Sequence, residues 1–154
     1  MRILFLCLGN ICRSPAAEGV FRSMAAEAGF AVELDSAGTG NWHVGHPPYG
    51  PMIAAAAMRG HDLHALRARQ LTREDFDRFD LILAMDRQNL HDAQALAPKG
   101  SRAQIALFLD GETGPHEVPD PYFTRDFDGC LDIVEAGAQA LLARLQRAQS
   151  DSAF

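Results

Sequence analysis

The chain predicts an α/β fold of three layers, a four-stranded parallel sheet flanked by helices, with a Cys-x5-Arg loop near its N-terminus. Three observations carry that expectation. Short apolar runs alternate with helical patterns, as they do when helices cover a parallel sheet. Asp80-Leu81-Ile82-Leu83-Ala84-Met85 is apolar after its first residue, the pattern of a central strand buried on both faces. No repeat, low-complexity tract or linker divides the sequence, so residues 1–154 read as one domain.

Taken in order, residues 2–6 read as a buried first strand. Ser14 offers an N-cap and Pro15 a first helical residue, with Val20, Phe21 and Met24 on the apolar face and Gly29 closing the helix. Residues 31–35 form a second strand with Val32 and Leu34 on one side. An alanine-rich helix over 52–59 ends at Gly60. The strand at 80–85 is followed by a helix over 87–96 and a fourth strand over 104–109. The last helix spans about 126–149, striped by Phe127, Leu131, Val134, Leu141 and Leu145, and residues 151–154 should fray. Two long irregular segments remain, 38–50 and 110–123; structureless stretches of this length are usually functional. In a parallel sheet both would leave the carboxyl ends of strands, where open α/β folds bind ligands.

Composition narrows the function classes. A formal charge of −6 argues against a nucleic-acid binder, whose surface is normally basic. The apolar run 3–6 is too short for a signal sequence, and nothing approaches a membrane span. Three cysteines form no disulfide framework and have no structural zinc spacing, which places the chain in a reducing cytoplasm.

Cys7-Leu8-Gly9-Asn10-Ile11-Cys12-Arg13-Ser14 lies between the first strand and helix. A tight loop there can turn several N–H groups inward as an anion-binding nest, and Gly9 and Asn10 tolerate the left-handed backbone it needs. The helix aims its positive end at the same spot. A cysteine so placed favours its thiolate, the nucleophilic form. Arg13 supplies a planar fork that fits two phosphoryl oxygens, and Ser14 can donate to the sulfur and ease its departure. Asp120, between two prolines and beside Tyr122, is the candidate proton donor.

Cys12, inside the loop, can form a reversible disulfide with Cys7 that guards it from over-oxidation. Cys130 falls on the apolar stripe of the last helix and reads as core. His43 and His46, and His61 and His64, have ligand-like spacing, but no carboxylate or cysteine pattern completes a metal site. Trp42 in its glycine-rich loop reads as a contact residue. Glu18 and Arg22 look like a solvated i,i+4 pair, and Asp86 is placed to hydrogen-bond near the site.

The loop from Cys7 to Ser14, the stretch Asp35-Ser36-Ala37-Gly38-Thr39 and the stretch Asp120-Pro121-Tyr122 resemble the low-molecular-weight protein tyrosine phosphatase family in order and spacing across the chain. That resemblance implies hydrolysis of phosphotyrosine and aryl phosphate monoesters through a phosphocysteine on Cys7. Arg13 and the amides of Leu8 to Cys12 would bind phosphate, and Asp120 would be acid and then base. Asn10 and Ser14 would brace the loop with Ser36 in support, and Trp42 and Tyr122 would wall an aromatic slot. No metal or cofactor is implied. The partner would be a phosphotyrosine-containing protein, a bacterial tyrosine kinase being one such, and the chain a monomer or weak homodimer. Two departures stand out: Leu66 occupies a position where many members have a bracing histidine, and Phe123 one where eukaryotic members have a second tyrosine. A thiol-dependent arsenate reductase would need a cysteine pair in 86–99, which has none. Phosphoarginine phosphatases of this type carry Thr where Leu8 stands, and a non-catalytic phosphotyrosine-binding module would lack Cys7 or Asp120.

Overall fold

Successive side chains of the first strand, β1 (Arg2–Cys7), go to opposite faces of the sheet, and both faces are apolar because both are covered. Ile3, Phe5 and Cys7 join a core with Val20, Phe21, Leu131 and Val134, while Leu4 and Leu6 pack with Phe76, Phe79 and Ile82. The computed structural model, which describes residues 1–110 and 114–152, completes the sheet with β2 (Glu33–Gly38), β3 (Leu81–Ala84) and β4 (Gln104–Leu107). All pairings are parallel, in the order β2-β1-β3-β4. Helices α1 (Arg13–Glu27) and α6 (Phe127–Ser152) cover one face, and α2 (Gly50–Ala57) packs on α6. The short α3 (Asp75–Arg78) and α4 (Arg87–Leu96) cover the other, and α5 (Pro121–Thr124) is a single turn before α6. This is the expected three-layer, four-stranded parallel architecture.

Where boundaries differ from expectation, tertiary pairing decides them. β2 starts at Glu33 and continues to Gly38, because it runs alongside β1 from opposite Arg2 to opposite Cys7. β3 and β4 are shorter than their apolar runs, since Met85, Phe108 and Leu109 are buried beyond the ladder. Ser14 is not the N-cap. The cap is Cys12, with no side-chain cap bond, and Ser14 sits in the first turn because its hydroxyl is used by Cys7. Gly29 does close α1, at φ 67°, with Phe30 N–H reaching Ala25 C=O and Gly29 N–H reaching Ala26 C=O. α3 and α5 have four residues each, too few for a periodic signal. α6 is still helical at Asp151 and Ser152, against the expected fraying; 153–154 lie outside the described residues, as do 111–113 of the irregular 110–123 segment. No helix among the described residues is long and apolar enough to cross a membrane.

Candidate active site

β1 ends on Cys7 and α1 begins at Arg13, so the loop between them is anchored at both ends. Its curl turns on Asn10, at φ 57°. Gly9 does not take the left-handed conformation expected of it; a Cβ there would stand 3.1 Å from His43 Cδ2, so closeness to His43 is what favours glycine. The loop is tied down by Thr39 N–H to Cys7 C=O, Gly40 N–H to Leu8 C=O and Tyr49 N–H to Ile11 C=O, at 2.8–2.9 Å. Cys7 Sγ receives the Asn10 N–H at 3.3 Å and lies 3.0 Å from Ser14 Oγ.

Behind the sulfur the donor directions are fixed. Asn10 Oδ1 accepts from the Arg69 N–H at 3.0 Å, a donor only, so its Nδ2 must face Ser14 Oγ (2.7 Å) and Ser36 Oγ (3.0 Å). Ser36, having accepted, donates to Glu18 Oε1 at 2.8 Å; Ser14, having accepted, has one proton to give, with Cys7 Sγ at 3.0 Å and the Ala37 C=O at 3.5 Å as its acceptors. Glu18 does pair with Arg22 at 2.8 Å, but it is only 3% exposed and is no solvated surface residue. A strict i,i+4 reading missed this, because the second partner comes from β2. The brace expected of a histidine at Leu66 is supplied by Arg69. Its backbone N–H holds Asn10, while its guanidinium takes both oxygens of Asp75 at 3.0 Å and Asp35 Oδ2 at 3.0 Å. Leu66 packs against the apolar core. Replacing Ser36 with alanine would leave Glu18 and Asn10 each short of a buried partner. Ser36→Ala should lower unfolding free energy by about 1–3 kcal/mol, read by denaturant titration.

Arg13 is 3% exposed and held by carboxylates. Its NH1 donates to Asp86 Oδ2 at 2.7 Å and to Val118 C=O at 3.1 Å, and its NH2 stands 3.5 Å from Asp120 Oδ2. Burial opposes its charge, but Cys7, Asp86 and Asp120 outweigh that and hold the guanidinium above its usual range. Asp86 also caps α4, accepting from Asn89 N–H at 2.7 Å, so β3 and α4 aim the clamp together. Asp120 caps α5 through Oδ1, which accepts the Tyr122 N–H at 3.0 Å. Oδ2 is the oxygen turned toward Arg13 and the cavity.

These groups meet at one cavity of about 130 Å³, lined by Cys7, Leu8, Gly9, Ile11, Cys12, Arg13, Trp42 and Asp120, with Tyr122 at its rim. Trp42 is 67% exposed and Tyr122 45% exposed, large aromatics standing open beside a buried thiol. His43 and Phe123 also line it. Neither was marked as a site residue in the sequence; His43 was legible only as half of a weak ligand pair. Tyr122 packs on Tyr49 at 5.6 Å between ring centres, and Tyr49 also takes a hydrogen bond from Arg125. All three cysteines are free and buried. Burial, with Cys7 nearby, pushes the Cys12 thiol up to about 12; burial likewise pushes Cys130 to about 12. His61 is enclosed, its Nδ1 3.1 Å from Ser23 Oγ and its Nε2 3.5 Å from Glu135, and His64 pairs with Asp62. Among the described residues no group of three or more His, Cys, Asp or Glu is placed to hold a metal.

Such a loop at the carboxyl edge of a four-stranded parallel sheet defines an enzyme of the cysteine-phosphatase class. Residues 2–151 match the family model of low molecular weight phosphotyrosine protein phosphatase, and the chain belongs to that family. It is 38% identical over 149 residues to the low molecular weight protein-tyrosine-phosphatase YfkJ of Bacillus subtilis, covering 94% of this chain and 96% of that one. It is 43% identical over 155 residues to the corresponding Streptomyces coelicolor protein, covering 94% and 93%. The crystal structure of YfkJ superposes with a TM-score of 0.91, covering 96% of each chain. That of a Drosophila arginine phosphatase gives 0.89 at 27% identity, covering 94% of this chain and 98% of the other.

Proposed function

We propose that this protein hydrolyses phosphotyrosine and other aryl phosphate monoesters by two phosphoryl transfers. The observation that carries this is the meeting of Cys7 and Arg13, the two ends of one loop, with Asp120 from a distant stretch of chain, at one cavity rimmed by exposed aromatics. In the first step the Cys7 thiolate attacks phosphorus, the aryl oxygen leaves, and Asp120 Oδ2 gives it a proton. In the second, Asp120 takes a proton from water as water attacks the thiophosphate, and the sulfur departs toward the Ser14 hydroxyl. Arg13 and the loop amides bind the equatorial oxygens as their charge spreads in the transition state.

Leu8, Trp42 and Tyr122 give the slot apolar and aromatic walls, which suit a phenyl ring better than a short seryl chain, and Leu8 stands where phosphoarginine phosphatases of this type carry Thr. Peptides carrying phosphotyrosine, phosphoserine and phosphoarginine decide the substrate class. Phosphotyrosine should lead in kcat/KM by about tenfold or more, and faster phosphoarginine turnover would overturn the assignment. Cys12 lines the cavity five residues after Cys7 and serves as its redox guard. The working compartment is the cytoplasm and the partner a phosphotyrosine protein.

The acid role has its own test. Asp120→Asn cannot protonate the leaving group, so kcat on phosphotyrosine should fall by roughly 10²–10³. An aryl ester with a strongly acidic phenol needs little protonation and should lose less than about tenfold on the first step, seen in a pre-steady-state burst. Equal losses on both would remove Asp120 from that role.

A further inference from the structure

Beside the slot lies a second, larger hollow of about 390 Å³. Leu8 and Trp42 line both, so the two share a wall. Trp42 lies close over Gly40, where a Cβ would fall 2.0 Å from its Cζ3, so the glycine is what admits the indole here. The far side of the hollow carries Thr39, Asp92 and Leu96. Thr39 Oγ1 is itself shut from solvent, so Thr39 meets the hollow with its other atoms. Asp92 gives one oxygen to Gln88 Nε2 at 2.9 Å and keeps the other unpaired among the described residues. No lysine, arginine or histidine lines the hollow among those residues.

We propose that this hollow is a subsite for a basic side chain flanking the phosphotyrosine of the substrate, arginine above all. The inference rests on the phosphotyrosine reading of the slot and adds to it a sequence preference. A guanidinium there stacks on the indole face turned away from the slot, with its stem along Leu96. It donates to the free Asp92 oxygen while lying flat on the indole, a pairing that lysine reproduces less well. The phosphotyrosyl ring and the arginine then lie on the two faces of Trp42.

The test uses phosphotyrosine peptides identical except for Arg, Lys or Glu placed at each position flanking the phosphotyrosine. At low salt kcat/KM should favour Arg over Glu by about threefold to tenfold at one of those positions, and the preference should shrink as salt rises. Asp92→Asn should bring the ratio close to unity, and Asp92→Lys should reverse it, each ratio being taken within one variant so that any general loss cancels. Equal rates for all peptides, or a preference untouched by Asp92→Asn, would overturn the subsite while leaving the phosphatase assignment standing. Failure to hydrolyse any of the peptides, with aryl phosphates still turned over, would sink the phosphotyrosine reading and the subsite with it.

Discussion

Cys7→Ser should abolish turnover, with kcat on an aryl phosphate down by at least about 10⁴. A serine hydroxyl in this loop can accept the Asn10 N–H and face Ser14 as the sulfur does, so the fold should persist and only the nucleophile is lost. Wild-type activity should survive a metal chelator, because the loop amides and Arg13 do the electrostatic work a metal would do elsewhere. Residual turnover within about a hundredfold of wild type, in protein free of misincorporated cysteine, would move the nucleophile elsewhere. A melting curve close to wild type separates lost chemistry from lost structure. Alkylation at mildly alkaline pH supplies a second readout: Cys12 and Cys130 stay thiols there, burial having raised both to about 12. One label should therefore enter the wild type at Cys7 and none should enter Cys7→Ser.

The sheet was legible because burial writes itself into sequence. A strand covered on both sides must be apolar throughout, as Leu81 to Ala84 are, and the first helix announces its end at Gly29. The loop was legible because nucleophile, clamp and hydroxyl lie within eight consecutive residues. Its support was not. Arg69, Asp75 and Glu18 look like surface charges in one dimension, and only the closure of β1 against β2 and the 68–71 segment brings them to Asn10 and Ser36. The substitution of Leu66 for a histidine signals that the brace differs without saying what replaces it. The same limit applies to Ser14, whose sequence context is that of an N-cap: competition from Cys7 for its hydroxyl is a tertiary fact. Asp86 was closer to the surface of the text, since the residue after a central parallel strand sits at the ligand edge.

Arg13→Lys should cost about 10³ in kcat/KM, equal to about 4 kcal/mol of transition-state stabilisation, although charge is conserved. The guanidinium spends NH1 on Asp86 and the Val118 carbonyl and keeps NH2 near Asp120. It is thus oriented by two fixed acceptors while a second nitrogen remains for the phosphoryl group. An ammonium is one point with three donors on a flexible stem; bound to Asp86 it withdraws from the substrate, and bound to the substrate it leaves Asp86 without its buried partner. Most of the loss should appear in kcat, because the oxygens being clamped gain charge only as the bond to the leaving group breaks. Asp86→Asn removes the ion pair and leaves one acceptor oxygen for two donors, NH1 and the Asn89 N–H that it caps; with that oxygen on NH1, kcat should fall about tenfold or less while the lost α4 cap lowers the melting temperature. If Arg13→Lys retained kcat within about tenfold of wild type, a positive charge alone would suffice at this position. The planar fork held by Asp86 and Val118 would then be packing rather than catalysis.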